Sequence, residues 1–140
     1  DGVYWFVLSA HPTIPRAAPV ADGFGQMTQR VFAGDHTGIK TWQQIAALGK
    51  TGKPVSTVAA TDLAFSIKEG EKGAGNSHAV IWHGKLVQRE SAAMRFSVAG
   101  ILTAVAVDGR LELVPGEGGR TVDVWLEKGQ HDIAIFAAQG

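Results

Sequence analysis

The order of apolar and polar positions between His78 and Ala138 predicts a series of short β-strands joined by turns. In HAVIWHGKL, residues 78–86, Val80, Trp82 and Leu86 share one parity. In MRFSV, residues 94–98, Met94, Phe96 and Val98 do the same. Successive side chains of a strand point to opposite faces, so this alternation marks strands with one buried side. In LTAVAVDGRLEL, residues 102–113, Asp108-Gly109 stands between two apolar arms. That dipeptide signals a two-residue hairpin because both residues tolerate positive φ. RTVDVWLEKGQHDIAIFA, residues 120–137, predicts a second hairpin. Val122, Val124 and Leu126 alternate before its turn, Ile133 and Ile135 after it, and Gly129 supplies positive φ. Ile101–Val107 is apolar on both parities except at Thr103. It predicts a central strand whose outer face is covered, by a helix or by a partner.

One helix is expected, over Lys40–Gly49. Thr41 caps it, and Gln44, three residues on, completes a capping box. Trp42, Ile45 and Ala46 fall on one face, and Gly49 is a left-handed stop. The helix is expected across one open end of a sandwich, with Trp42 buried beneath it. Thr61–Ile67 alternates again, with Leu63, Phe65 and Ile67 inward. Residues 69–76 and 115–119 are glycine-rich loops. Toward the start, Val3–Leu8 is a compact apolar run, read either as a strand or as the end of a membrane-proximal segment. Three prolines follow within His11–Val20 and make an extended arm. Residues 1–22 are therefore assigned to an N-terminal arm and 23–140 to the domain. Tyr4, Trp5, Phe6 and Leu8 are too apolar to float free in water. They are expected to dock on a partner chain or membrane, or to add an edge strand.

Composition narrows the function. The 140 residues hold 13 Lys plus Arg and 13 Asp plus Glu. This balance gives no electrostatic reason to expect nucleic acid. Only 19% of residues are charged while 18 are glycine, which suits a β-protein rich in tight turns. There is no cysteine, so disulfides and thiolate metal sites are excluded. No stretch is long enough to span a bilayer as a helix.

Candidate chemistry is sparse. Leu48-Gly49-Lys50-Thr51 imitates the end of a phosphate-binding loop, but Gln44 stands where the motif needs glycine. Gly73-Ala74-Gly75 lacks the third glycine of a dinucleotide fingerprint. His11, His36, His78, His83 and His131 are scattered, with no spacing that suggests a metal site, and read as solvated or strand-end residues. No catalytic constellation is visible and no cofactor is implied. Trp125 lies between the inward Val124 and Leu126, so it points outward. Either it is covered by a loop such as Ser56–Thr61, or it is exposed and available to a sugar ring or a partner pocket. Trp82 reads as core.

The order of these motifs resembles the protective-antigen fourteen-kilodalton domain family, an extracellular β-sandwich, over residues 26–138. The likeness rests on Trp82-His83-Gly84, on Phe96-Ser97-Val98 and on Val107-Asp108-Gly109. It continues in Val124-x-Leu126 and Lys128-Gly129-Gln130-His131. Upstream, Gly52-Lys53-Pro54-Val55 and Asp62-Leu63-Ala64-Phe65 sit where the family has similar runs. The resemblance implies an extracellular or periplasmic setting. It also implies that sugar-binding members hold calcium through an Asp-Asp pair in the loop after the Phe-x-Val strand. Here that loop is Ala99-Gly100-Ile101-Leu102, without a carboxylate, and calcium prefers clustered oxygen ligands.

The expected fold is thus an all-β antiparallel sandwich with one short helix and an extended N-terminal arm. The expected function is a non-catalytic structural or interaction module of a larger extracytoplasmic or membrane-associated assembly, whose partners are other protein subunits. The alternative is a calcium-independent carbohydrate-binding module that uses Trp125. A ligand that binds only the native state raises the melting temperature. Calcium at millimolar concentration is expected to leave thermal unfolding unchanged, and a rise reversed by chelator would contradict this reading of the loop.

Overall fold

A computed structural model of the chain describes residues 3–12, 27–60, 64–68, 77–100 and 102–139. These described residues form an antiparallel β-sandwich with one short helix. The smaller sheet has four strands, in the spatial order β4 (Ala64–Lys68), β1 (Val3–Pro12), β6 (Ala92–Gly100) and β9 (Arg120–Leu126). The larger has six, in the order β3 (Ser56–Ala60), β2 (Met27–Ala33), β5 (His78–Gln88), β10 (Gly129–Gln139), β7 (Leu102–Val107) and β8 (Arg110–Gly116). Helix α1 (Trp42–Thr51) follows β2.

The alternating residues meet between the sheets. Val80, Trp82 and Leu86 of β5, with Ile133 and Ile135 of β10, face Met94, Phe96 and Val98 of β6 and Val124 and Leu126 of β9. Trp82 is wholly buried. Its indole N–H donates to Gln29 Oε1 at 3.0 Å, which answers the one polar group this large side chain carries inward. The Asp108-Gly109 hairpin joins β7 to β8 as expected, with φ of 52° and 80° at the two turn residues.

The second expected hairpin is not one. β9 pairs with β6 in the smaller sheet, whereas β10 pairs with β5 and β7 in the larger. The Glu127-Lys128 link therefore crosses from one sheet to the other. Gly129 has the positive φ read from the sequence, 126°, and uses it to enter the crossover. Both segments alternate because each buries one side in the same core, which does not require them to pair with each other.

The helix also lies elsewhere than expected. It packs on the outer face of the larger sheet, not across an open end. A second apolar cluster there joins Ile45 to Phe32, Ala79, Ile81, Ala104, Phe136 and Ala138, with Trp42 and Leu48 packed around it. This covers the outer face of β7, as its two-sided apolar pattern requires. Ile45 is buried and Trp42 only half-buried. The capping box is formed: Gln44 N–H donates to Thr41 Oγ1 at 3.2 Å, and Thr41 N–H donates to Gln44 Oε1 at 3.1 Å. Gly49 does not end the helix. It lies inside it, and its carbonyl accepts from Arg30 Nη1 at 2.5 Å. The guanidinium thus answers a carbonyl of the last turn that the helix cannot satisfy itself. The C-cap is Gly52, at φ −70°, where a side chain would bring Cβ within 2.5 Å of the Leu48 carbonyl oxygen.

The strand reading of Val3–Leu8 holds: the backbone of Val3–Pro12, placed within the arm, pairs with β4 on one side and with β6 on the other. It is a strand inside the smaller sheet, not at its edge. The side chains of Tyr4, Trp5, Phe6 and Leu8 lie outside the described residues, as do residues 13–26. The expected inward face of Leu63, Phe65 and Ile67 also lies outside them, although residues 64–68 do form β4.

Helix packing here rests on one deeply buried side chain. Ile45→Ala is expected to cost roughly 2–5 kcal/mol, the range for truncating a buried large aliphatic residue. Chemical denaturation measures it, and a loss under about 1 kcal/mol would place Ile45 outside the core.

Candidate functional site

β8 and β9 are the terminal strands of opposite sheets at the same side of the sandwich, joined by residues 117–119. A groove of about 310 Å³ opens between them and the β7–β8 turn. That volume is at the lower end for small-molecule sites, roughly 300–1,000 Å³. Val107, Val124 and Leu126 form its apolar floor, and all three are buried members of the core between the sheets. Trp125 lines it too, with Asp108, Arg110 and Glu112 as polar neighbours.

Trp125 is 60% exposed. Its indole N–H donates to the Glu127 carboxylate two residues on, which fixes the ring beside the groove. Of the two alternatives for Trp125, exposure holds: the segment Ser56–Thr61, named as a cover, is strand β3 as far as Ala60 and lies at the far edge of the larger sheet. The Arg110 guanidinium donates through Nε and Nη2 to Glu112 Oε2, at 3.1 and 3.0 Å. The two side chains meet where the pairing of β8 with β7 shifts register between Leu111 and Leu113.

Two sets of contacts hold the groove at its ends. At the loop end, Arg120 of β9 donates Nη1 to the Val114 carbonyl at 2.6 Å and Nη2 to the Gly116 carbonyl at 2.8 Å. Nη2 also donates to the Thr103 carbonyl of β7. The guanidinium stitches the edge of one sheet to the other. At the opposite end stands His131 of β10. Its Nδ1 lies 2.7 Å from Asp108 Oδ2 and its Nε2 lies 2.6 Å from the Glu127 carbonyl oxygen. Asp108 Oδ1 accepts the Asp132 N–H at 2.8 Å, and the Asp108 N–H donates to the Asp132 carbonyl at 2.8 Å. Asp132 in turn pairs with Lys85.

These contacts perturb both groups. Burial alone would lower the His131 pKa, but the Asp108 carboxylate and the Glu127 carbonyl together raise it above its ordinary value. Burial would raise Asp108, yet its bonds to His131 and to the Asp132 N–H hold it below the usual carboxylate value. Asp108 therefore has two tasks. It forms the turn, as the sequence indicates, and its carboxylate braces the crossover.

His83 and His36 do not join this site. His83 is exposed on the outer face of the larger sheet, and its pKa is lowered by burial of part of the ring and by the nearby Arg30. His36 reaches the Ala33 carbonyl at 3.0 Å. Among the described residues, no three His, Cys, Asp or Glu side chains gather as metal ligands. Trp125 is the residue that sequence reasoning and the groove share. His131, expected as a solvated or strand-end residue, is instead mostly buried, because both of its ring nitrogens meet acceptors of the turn and the crossover. Arg110, Glu112 and Arg120 carry no signal in the sequence. The Asp108–His131 pair joins residues 23 apart, and only the pairing of β7 with β10 brings them together.

No family model and no curated protein matches the chain. Among solved structures it is similar to a β-glucosidase from Kluyveromyces marxianus, determined in complex with glucose, at a TM-score of 0.57 and 12% identity. The match covers 81% of this chain and only 14% of that enzyme's, so the likeness concerns the fold of one segment.

The linked pair sets a pH dependence. His131, raised above 6.5, contributes stability that is fully present below that value and is lost as pH rises through its folded value. Asp108, lowered below 3.8, contributes stability present above that value and lost as pH falls through its folded value. Urea midpoints followed from about pH 3 to about pH 9 are expected to be highest between the two limits. Asp108→Asn keeps the turn, since Asn tolerates positive φ, and is expected to flatten the decline above pH 6.5.

Proposed function

We propose that this domain is a non-catalytic binding module that takes a carbohydrate in the groove beside Trp125 without calcium. The observation that carries the reading is an exposed indole, fixed by Glu127, beside an apolar lining flanked by Asp108, Arg110 and Glu112. Sugar rings present apolar C–H faces and polar edges, and this mixture of stacking surface and hydrogen-bonding groups suits both. Asp108 is held ionised by His131 and the Asp132 N–H, which suits accepting a hydroxyl hydrogen bond rather than donating a proton to a leaving group. The resemblance to the protective-antigen domain family supports an extracellular or periplasmic setting, as part of a larger assembly.

A second reading, a structural or interaction module docked to other subunits, is favoured by a different surface. Val55 and Val58 are exposed beside and on β3, at the end of the larger sheet, and exposed apolar edges suit pairing with another chain.

A glycan array probed in chelator separates the two. Retention of saccharides is expected, and Trp125→Ala is expected to weaken it about tenfold or more, the equivalent of about 1.4 kcal/mol of contact. The same substitution is expected to leave unfolding within about 0.5 kcal/mol of the parent, since the ring is exposed. An array without retention, or retention indifferent to Trp125, overturns the carbohydrate reading.

A further inference from the structure

We propose that His131, carrying a proton on each ring nitrogen, is the positioning residue of the Trp125 groove, a latch that holds the β7–β8 turn against the β9–β10 crossover. The saccharide as occupant rests on the function proposed above, whereas the latch rests on the geometry of this chain alone.

The geometry leaves the ring little choice. Nδ1 faces a carboxylate oxygen and Nε2 faces a backbone carbonyl oxygen, both acceptors, at 2.7 and 2.6 Å. A neutral imidazole has one N–H and can satisfy one of them; the imidazolium satisfies both. On loss of the proton, one nitrogen lone pair is set against an oxygen lone pair, and that contact turns from attractive to repulsive. The ring's side chain is only 13% exposed, so water does not readily replace the lost partner.

Both contacts end on the groove. Asp108 lines it directly. Glu127 gives its carbonyl to His131 and its carboxylate to the Trp125 indole N–H, so the residue held by the latch is the one that aims Trp125. The Lys128 N–H donates to Ser91 Oγ at 2.9 Å, which fixes the far side of the crossover to the β5–β6 connection. Release of His131 therefore frees the Glu127 end of the link while the Lys128 end stays attached.

Two charged groups bear directly on the ring's proton, and two others act through Asp108. Asp108 on the turn and Glu127 on the crossover favour it. Asp132, next to His131 on β10, donates its N–H to Asp108, and Lys85 of β5 pairs with Asp132. Lys85 also lowers the pKa of Asp108. At the other end of the groove the pin is Arg120, whose guanidinium stays protonated at any physiological pH. One end of the groove is thus fixed and the other titrates.

The test reads Trp125 itself by NMR of uniformly labelled protein without ligand. Its indole N–H signal is assigned by its disappearance in Trp125→Phe. Through the titration of the His131 ring, that signal is expected to shift with the same midpoint. In Asp108→Asn both midpoints are expected to fall together toward 6.5. In His131→Gln the indole signal is expected to lose the transition. An indole signal that does not move through the His131 titration, or that keeps its midpoint in Asp108→Asn while the ring's falls, overturns the latch. Glycan retention on the array is read separately. A titrating indole without retention upholds the latch and defeats the carbohydrate reading. Retention with a flat indole signal does the reverse.

Discussion

Strand β10 is apolar on both faces, and most of the architecture follows from the need to cover it. Ile133, Ile135 and Ala137 point into the core between the sheets, while Phe136 and Ala138 point outward. Burying such a strand takes two layers, since water on either side would cost apolar area at roughly 25 cal/mol per Å². The inner layer is the smaller sheet. The outer layer is α1, which meets Phe136 through Ile45 and reaches β5 and β7 through Ile81 and Ala104. The helix is short, and isolated helices of this length are marginal in water. Its capping box and the Arg30 bond to Gly49 secure its ends, but the apolar face on the sheet gives it a reason to exist.

The groove is a consequence of the same arrangement. Two sheets of unequal width face each other, and the connection between β8 and β9 changes sheet where the wider one ends. The groove therefore forms between these strands, over Val124 and Leu126, which themselves stay buried in the core. An opening of this kind tends to splay unless its borders are tied. Arg120 ties it at one end through backbone carbonyls, and His131 ties it at the other through Asp108 and the Glu127 carbonyl. The ties use charge-assisted hydrogen bonds, which are stronger than neutral ones and directional enough to set the position of a neighbouring side chain. Trp125 gains a fixed orientation without being buried, an arrangement that suits recognition by stacking.

Much of the fold was legible in the sequence because it is decided within a few residues. The parity of Val80, Trp82 and Leu86, and of Met94, Phe96 and Val98, depends only on the two-residue repeat of a strand. Asp108-Gly109 sets its own turn through the φ values that these residues tolerate. Thr41 and Gln44 cap a helix with each other's backbone groups. The two-sided apolar pattern of β7 requires a covered outer face, and the chain supplies the cover from its own helix. The outward direction of Trp125 follows from its inward neighbours.

What the local pattern could not decide is which strand lies beside which. Val122–Leu126 and Ile133–Ile135 alternate in the same way whether they pair with each other or sit in opposite sheets, because alternation records one buried face and says nothing of the neighbour. Only packing separates the two, and it turned an expected hairpin into a crossover. The same holds for the helix, whose apolar stripe fits an open end as well as a sheet face until Phe32, Ile81 and Phe136 are assembled beneath it. It holds for the site most of all. Trp125 could be singled out from its own strand, but Asp108 and His131 come together only through the register of β10 against β7, a contact between distant residues that no local preference encodes.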